Sequence, residues 1–231
     1  MNKKQLFLLL ISFLGCLNSF AQSDLVLYNQ NWEKKTVYWG YYVGLNQNTQ
    51  RISYRKTDDT FVDVQPSTSF NLGMIGGLRL HEYVSLRFEP GFTNSNVRLT
   101  FRNLQNSNDS LRVARANYFR LPLLVKVNSK KYRNMRSYVI GGVSYDRNFS
   151  GNENDDDDNE SGSFRMKENN FSYEIGLGMD FYLPYFIFSP SIRGIFAINN
   201  ELVYDNNPDS EFTRNIDYMG VRGVFLKFAF H

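Results

Sequence analysis

The sequence has little of what enzymes and small secreted folds are built from. Its 231 residues include one cysteine, Cys16, and two histidines, His81 and His231. One cysteine excludes an intramolecular disulfide framework and a cysteine-based zinc site. No serine–histidine–acid arrangement can be drawn, because His81 falls in a predicted tight turn and His231 is the last residue. The sequence therefore predicts a non-enzymatic protein without cofactor or metal.

The chain also lacks a charge imbalance and, past its N-terminus, a long apolar run. It has 26 lysines and arginines against 23 aspartates and glutamates, whereas nucleic-acid binders normally carry a strong basic excess. The aromatic content of 16% excludes a disordered protein. The mean hydropathy of -0.42 excludes a helical membrane protein. A β-barrel can span a membrane at this value, because only alternate residues face lipid.

The N-terminus has the three parts of an export signal. Lys3 and Lys4 form a basic start, and residues 6–17 form an apolar stretch too short to span a bilayer. Ala21 supplies the small residue before a cleavage site. A lipoprotein signal with Cys16 as the lipidated residue is the alternative. We expect a signal peptide at 1–21, a short periplasmic segment at 22–36 and a barrel domain at 37–231.

Beyond residue 36 the dominant pattern is the alternation of apolar and small or polar residues that is typical of β-strands. Each alternating segment is long enough to cross a bilayer when tilted. The segments between them show no convincing helical period. The predicted strands lie at residues 37–46, 70–80, 83–92, 118–127, 138–145, 171–181, 186–199 and 223–230.

Connections between the predicted strands alternate in length. The first, third, fifth and seventh gaps are long and the others are short, as in the outer loops and periplasmic turns of a membrane barrel. Both chain ends then lie on the periplasmic side. Pro90, Pro122 and Pro190 fall inside strands. Because proline cannot donate to the ladder, we expect β-bulges at these positions.

The two faces of the predicted strands distinguish a membrane barrel from a soluble one. One face carries large apolar residues along every strand, and the other carries glycine and scattered charges. An eight-stranded interior is too narrow for so many large side chains, which argues against a soluble, lipocalin-like carrier. The sequence therefore predicts an all-β, eight-stranded antiparallel barrel in the outer membrane, with its apolar face towards lipid.

Charged residues on the small face are the first candidates for a functional site. A charge stripped of water needs a partner, because an unpaired buried ion costs several kcal/mol. We interpret these residues as a network of paired charges that plugs the lumen; the alternative is a selective pore or a proton path. The predicted lumen network consists of Arg79, Arg87, Glu89, Arg120, Lys126, Glu174, Asp180, Arg193 and Lys227.

Two further charged segments lie in the predicted connections. The acidic run 155–158, in the predicted loop 147–169, lacks the ligand spacing of an EF-hand, so a solvated loop is favoured over a calcium site. The fourth connection is basic and is predicted at the periplasmic rim. Its side chains either anchor to lipid headgroups or are simply solvated, or they dock a periplasmic partner. These candidate docking residues are Lys130, Lys131, Arg133 and Arg136.

Several of these segments resemble a known family. Residues 117–126 (NYFRLPLLVK) resemble the strand signature of the outer-membrane barrel superfamily common in Bacteroidetes. With four other segments, in this order along the chain, they are similar to the PorT family. The other four are 41–46 (YYVGLN), 138–145 (YVIGGVSY), 174–184 (EIGLGMDFYLP) and 188–193 (FSPSIR).

The resemblance to the PorT family implies an outer-membrane accessory protein of the type IX protein secretion system, which in gliding species also serves motility. It implies no catalytic residues. The expected partners are outer-membrane lipid and other secretion-system proteins in the outer membrane or periplasm, with no nucleic acid and no small-molecule substrate. The alternative is a structural or adhesive small barrel of the OmpX-like kind without a secretion role.

Overall fold

The computed structural model describes residues 32, 35–55, 62–101, 111–151, 165–204, 213 and 215–231. The predicted signal peptide at 1–21, nearly all of the predicted segment at 22–36 and the acidic run 155–158 lie outside the described residues. Within the described ranges, no helix is both long and apolar enough to cross a membrane.

The described chain forms ten β-strand segments in a single antiparallel sheet. They are β1 (Val37–Tyr54), β2 (Val62–Gln65), β3 (Ser67–Arg79), β4 (Val84–Phe88), β5 (Gly91–Phe101), β6 (Leu111–Asn128), β7 (Met135–Asn148), β8 (Asn169–Tyr182), β9 (Ile187–Ala197) and β10 (Ile216–Phe230). β1 pairs with β10 on one side and with β3 on the other, so the sheet closes into a barrel. β2 runs on into β3 and β4 into β5, so the ten segments make eight barrel strands, which confirms the predicted fold.

The two ends of the barrel differ. Short turns at 80–83, 129–134 and 183–186 join the strands at one end, which we call the turn end. The first residue of β1 and the last residue of β10 lie at this end as well. The connections at the other end, the loop end, span 55–61, 102–110, 149–168 and 198–215. The alternation of turns and loops follows the predicted order.

The predicted faces are confirmed along the middle of every strand. On β1, Trp39 and Tyr41 point outward with 70% and 60% of their surface exposed, whereas Tyr38 and Tyr42 point inward with 5% and 3% exposed. The same alternation places apolar residues outside on the other strands, and the inward face carries polar and small residues together with some buried apolar ones, such as Ile75, Leu124 and Ile140. Apolar residues facing outward from a closed barrel are the arrangement of a membrane-spanning barrel.

Aromatic side chains mark the two borders of this apolar surface. At the turn end, Tyr41 stacks on Phe230 with 5.3 Å between ring centroids, and Phe186 contacts the same ring. Towards the loop end, Phe92 packs against Phe119 at 4.9 Å. Rings at both borders of an apolar band are the girdles of a membrane barrel. We call the part of the barrel between the girdles the membrane zone.

Several strands continue past the girdle at the loop end and form a protruding zone. On β5, Asn96 and Arg98 face outward while Val97 and Leu99 are fully buried inside. The polarity of the two faces is therefore inverted relative to the membrane zone. The interior is an apolar cluster of Val62, Val97, Leu99, Met166, Leu202, Ile216 and Met219.

The predicted bulges at three prolines are wrong. Pro122 and Pro190 lie in ladders whose register does not shift, and the register is the same on both sides of Pro90. Pro122 fits in the ladder because its carbonyl accepts a hydrogen bond from the Glu89 amide at 3.1 Å. Proline has no amide hydrogen to donate to the Glu89 carbonyl, and the Tyr42 hydroxyl donates to that carbonyl instead, at 3.5 Å.

A shift occurs instead at Pro66, between β2 and β3. Gln65 pairs with Arg98 and Asn71 with Thr93, so the register of this strand against β5 changes by one residue. A one-residue shift turns the side chains to the opposite face. This is why the inward positions are even-numbered on β2, beginning with Val62, and odd-numbered on β3.

Candidate functional site in the lumen

Glu89 lies at the centre of the lumen. It stands at the break between β4 and β5, and its side chain is completely buried. Arg193 donates to it through Nη1 at 2.7 Å and Nη2 at 3.1 Å. Lys227 Nζ and Arg87 Nε lie 3.3 and 3.0 Å from its oxygens. Three cations around one carboxylate require further anions nearby, because an uncompensated buried charge is costly.

Glu174 and Asp146 supply those anions towards the loop end. The Glu174 carboxylate is 3.5 Å from Arg193 Nη1 and 3.0 Å from Arg120 Nη2. Arg120 Nε also donates to Asp146 Oδ1 at 2.9 Å. The contacts therefore form one continuous chain of ion pairs across the lumen. Asp146 is absent from the predicted network because the predicted fifth strand ends at Tyr145; extending its alternation by one residue finds it.

A second ion pair lies towards the turn end. Lys126 Nζ is 2.7 Å from Asp180 Oδ2. The Ser189 hydroxyl donates to Asp180 Oδ1 at 2.6 Å and lies 3.0 Å from His231 Nε2. Burial, with Arg87 and Lys126 near it, lowers the pKa of His231 well below its ordinary value, so the imidazole is neutral. Because the Ser189 proton is given to Asp180, Nε2–H of His231 donates to the serine oxygen.

Arg79 is the one predicted network residue that lies apart from these clusters. It is half-buried at the end of β3, and its Nη1 donates to the Trp32 carbonyl at 2.9 Å. Trp32 in turn packs against Tyr38 and His231, with ring centroids 5.9 and 6.2 Å apart. Arg79 therefore ties the segment before β1 to the turn end of the barrel.

Aromatic rings fill the space that the ion pairs leave. Lys126 Nζ lies 3.9 Å from the centroid of the Tyr138 ring, and Lys227 Nζ lies 4.3 Å from that of Tyr42. The glycines of the inward face make room for these rings: a Cβ on Gly178 would clash with Cζ of Tyr138. Cation–π contacts in a water-poor site add stability to the buried lysines.

A different group of residues closes the lumen in the protruding zone. Met166 and Leu202, from two connections at the loop end, pair as an isolated bridge inside the apolar cluster. Beside Leu202, the buried Glu201 carboxyl group accepts hydrogen bonds from the Tyr118 hydroxyl at 3.0 Å and the Val221 amide at 3.1 Å. The sequence reasoning missed Glu201 because it lies in a predicted loop without alternation.

Among the described residues, two small cavities lie in the lumen. One, of about 10 Å³, is lined by Tyr118, Arg120 and Asp146, among others, between the ion pairs and the apolar cluster. The other, of about 20 Å³, lies at the turn end beside Lys126 and Asp180. A cavity needs roughly 10–15 Å³ to hold one water molecule. In the described part of the chain, no group of histidine, cysteine and carboxylate residues could hold a metal ion.

The four candidate docking residues occupy different environments at the turn between β6 and β7. Lys130 and Arg133 are exposed. Lys131 Nζ lies over the Tyr182 ring at 3.9 Å. Arg133 has a positive φ of 55°, a conformation that disfavours residues other than glycine and asparagine. The turn therefore holds an exposed guanidinium on a strained backbone position.

Arg136 is a correction to the predicted docking set. Only 5% of its surface is exposed. Its Nε donates to the Ser129 carbonyl at 2.8 Å and its Nη2 to the Glu82 carbonyl at 3.2 Å. It therefore joins two neighbouring turns and does not face a partner. The sequence reasoning grouped it with the exposed residues because it lies close to them along the chain.

The comparisons with solved structures return small outer-membrane barrels. OprG of Pseudomonas aeruginosa is 15% identical with a TM-score of 0.46, over 83% of this chain and 94% of OprG. Neisserial surface protein A is 11% identical with a TM-score of 0.43, over 82% of this chain and 94% of that protein. Ail of Yersinia pestis is 11% identical with a TM-score of 0.37, over 85% of this chain and 98% of Ail. None of the curated proteins matches the chain.

The chain also matches a family profile. The profile of the outer membrane protein beta-barrel domain matches residues 20–203, which is most of the chain. The closed antiparallel sheet, the outward apolar face and the two aromatic girdles agree with it. The protein therefore belongs to the outer membrane protein beta-barrel domain family and is a small β-barrel of the outer membrane.

Proposed function

We propose that this protein is a sealed, non-enzymatic barrel of the outer membrane that conducts no solute and acts through its outer surfaces. The observation that carries the proposal is the filled lumen. Ion pairs run across it from Lys227 to Asp146, and the two cavities beside them hold about one water molecule each. This is the structural role of a small OmpX-like barrel.

The energetics of the ion pairs support a permanent seal. Opening a path would separate Arg193 and Lys227 from Glu89 within a narrow, water-poor lumen. Breaking a buried pair costs about 3–5 kcal/mol, because one partner is left as an uncompensated charge. The linked pairs share partners, so a solute would have to break several of them at once.

Conductance across a lipid bilayer tests the seal. Purified, refolded protein should give no channel steps and no swelling of liposomes in small sugars, while a general porin does both. The double variant Glu89→Ala/Arg193→Ala removes one charge of each sign from the centre of the lumen. This variant should conduct ions and small sugars across the bilayer, and that result would serve as the positive control for the assay. Reproducible channels in the unmodified protein would disprove the proposal.

A second candidate function is an accessory role in type IX secretion and gliding motility, as the resemblance to the PorT family implies. The specific observation in its favour is the exposed pair of cations, Lys130 and Arg133, at the turn end. In the predicted orientation, this end faces the periplasm. A filled barrel cannot itself carry a folded passenger, so in this role it would act beside a larger pore by contacting a periplasmic partner.

Gene deletion separates the two functions. If the protein has the accessory role in type IX secretion, proteins with C-terminal sorting domains accumulate in the periplasm of the deletion strain, and gliding is lost where the host glides. Replacement of Lys130, Lys131 and Arg133 by serine should reproduce part of that defect at unchanged protein level. A matched control replaces the outward Arg51 and Arg222 by serine. Normal secretion and motility in the deletion strain would leave the structural role alone.

A further inference from the structure

The segment 199–204 enters the mouth of the barrel and is held there along its length. The Glu201 amide donates to the Met219 carbonyl at 2.8 Å, and the Glu201 carbonyl accepts from the Lys167 amide at 2.9 Å. Asn200 Oδ1 accepts from the Leu202 and Met219 amides at 3.1 and 3.0 Å. The segment is thereby attached both to β10 and to the connection between β7 and β8.

Glu201, in the middle of this segment, brings a carboxyl group into an apolar environment. Glu201 and Leu202 are each only 1% exposed, and Leu202 belongs to the apolar cluster of the protruding zone. The carboxyl group has two hydrogen-bond donors, Tyr118 and Val221, and both are uncharged. An ionised carboxylate in such a place is disfavoured unless a cation pairs with it.

The other titratable groups that face Glu201 do not provide that pairing. From β6 these are Tyr118 and Arg120, from β7 Asp146, and from β10 Tyr218. The connection before β8 packs on the segment through Met166 and carries two more cations, Arg165 and Lys167; within the described residues, neither forms an ion pair with Glu201. Arg120 is engaged with Asp146 at 2.9 Å and with Glu174 at 3.0 Å. Asp146 adds a negative charge on the same side, which opposes ionisation of Glu201. The geometry therefore favours a neutral carboxyl group in the closed mouth.

We propose that Glu201 is a pH-sensitive latch, whose neutral carboxyl group holds segment 199–204 in the barrel mouth and whose ionisation favours release of the segment. Burial raises the pKa of Glu201 from 4.5 to about 7 in the closed mouth; the Val221 amide and the Tyr118 hydroxyl oppose this rise. A released segment is solvated, so its carboxyl group returns to the ordinary value. Loop ends of outer-membrane barrels face the exterior, so external pH would set how firmly the mouth is plugged.

The sign of the effect follows from proton counting. Between pH 4.5 and about 7 the closed state holds a proton that the open state has lost. Opening therefore becomes easier as pH rises through this window, by up to about tenfold per pH unit, and then levels off. Below pH 4.5 both states are protonated, and the mouth is most firmly closed.

Hydrogen–deuterium exchange of the full-length barrel in detergent tests the latch. Protection factors, corrected for intrinsic exchange, are measured for peptides covering 199–204 between pH 4 and 8.5. They should fall through the window and level off near pH 7. Glu201→Gln keeps the shape but cannot ionise; its Oε1 can still accept from the Val221 amide, while its Nε2 donates to the Tyr118 oxygen. Its protection should therefore stay high and independent of pH. Glu82→Gln, in an exposed turn at the opposite end, is the matched control and should behave as the unmodified protein.

A second variant separates the latch from a purely structural role. Tyr118→Phe removes a donor that favours the ionised form of Glu201, so protection should level off at a higher pH than in the unmodified protein. All variants are first checked for a folded barrel by their altered gel mobility without boiling. A flat protection profile for 199–204 in the unmodified protein, or the same pH dependence in Glu201→Gln, would overturn the proposal.

Discussion

The membrane zone and the protruding zone are built from the same strands with opposite rules. In the membrane zone, Val43 faces outward and Arg193 faces the lumen. In the protruding zone, Arg98 faces outward and Leu99 is buried inside. One strand, β5, passes through both, with Phe92 outside in the first zone and Val97 inside in the second. The alternation of the backbone continues, and only the polarity of the two faces is exchanged.

The comparison shows that the solvent outside the barrel decides which face is apolar. Where lipid surrounds the wall, apolar side chains face outward, and the buried charges of the lumen are paired because an unpaired buried charge is costly. Where water surrounds the wall, burial of apolar surface inside is favourable, and the barrel gains an ordinary hydrophobic core. Different interactions therefore stabilise the two zones, and mutations can separate them.

The largest effect is expected from Glu89→Ala in the membrane zone. It leaves Arg193, Lys227 and Arg87 around an empty position, and loss of one partner of a buried pair costs about 3–5 kcal/mol. The free energy of unfolding, measured by urea titration in lipid vesicles, should fall by at least that amount. A loss below about 1 kcal/mol would show that water or rearrangement compensates the lumen charges.

Leu99→Ala tests the protruding zone. Leu99 is fully buried in the apolar cluster, and truncation of a buried leucine costs about 2–5 kcal/mol. The loss should be local: limited proteolysis should cleave the loop end faster, while the unboiled form still shows the altered gel mobility of a closed barrel. Equal loss of both properties would mean that the zones unfold together.

A charge on the outer wall sharpens the comparison on a single strand. Val43 lies outward on β1 between Leu72 and Phe228, so Val43→Arg places a guanidinium in the apolar band, at a cost of about 2–4 kcal/mol. Gln47→Arg, four residues towards the loop end on the same face, should cost no more than about 1 kcal/mol. The two variants are compared by unfolding in vesicles, and equal costs would contradict the assigned border of the membrane zone.

The smallest effect is expected at the turn end, which belongs to neither zone. Arg133 adopts a positive φ, so Arg133→Gly removes backbone strain and should stabilise the barrel by about 0.5–1 kcal/mol after the entropy of glycine is counted. A small rise in the unfolding midpoint is the readout, with Lys130→Gly as the control that should lower it or leave it unchanged. Destabilisation by Arg133→Gly would show that its guanidinium contributes to the turn.

Much of the membrane zone could be predicted from the sequence. Alternation along residues such as Trp39, Tyr41 and Val43 assigned the outward face, and the same parity placed Glu89, Glu174 and Arg193 in the lumen. This prediction succeeds because side chains alternate between the two faces of a strand with a period of two, and because the face that contacts lipid must be apolar.

The protruding zone was missed for a physical reason. The parity of the apolar residues changes between Phe92 and Val97, which interrupts the pattern on which the prediction depends. The intervals 47–69 and 93–117 were therefore predicted as long loops, although β1, β2, β5 and β6 continue through most of them. A reversal of polarity within one strand and the end of a strand look the same in a sequence.

The sequence by itself determined the number of strands, the face that meets lipid and the charges that enter the lumen, because each depends on local alternation. Only the tertiary structure decided which charges meet. Glu89 and Lys227 are far apart in the chain and lie 3.3 Å apart across the barrel. It also placed Glu201 in the mouth and removed Arg136 from the exposed rim. These outcomes depend on the register and closure of the sheet, which combine distant strands in a way that no single segment encodes.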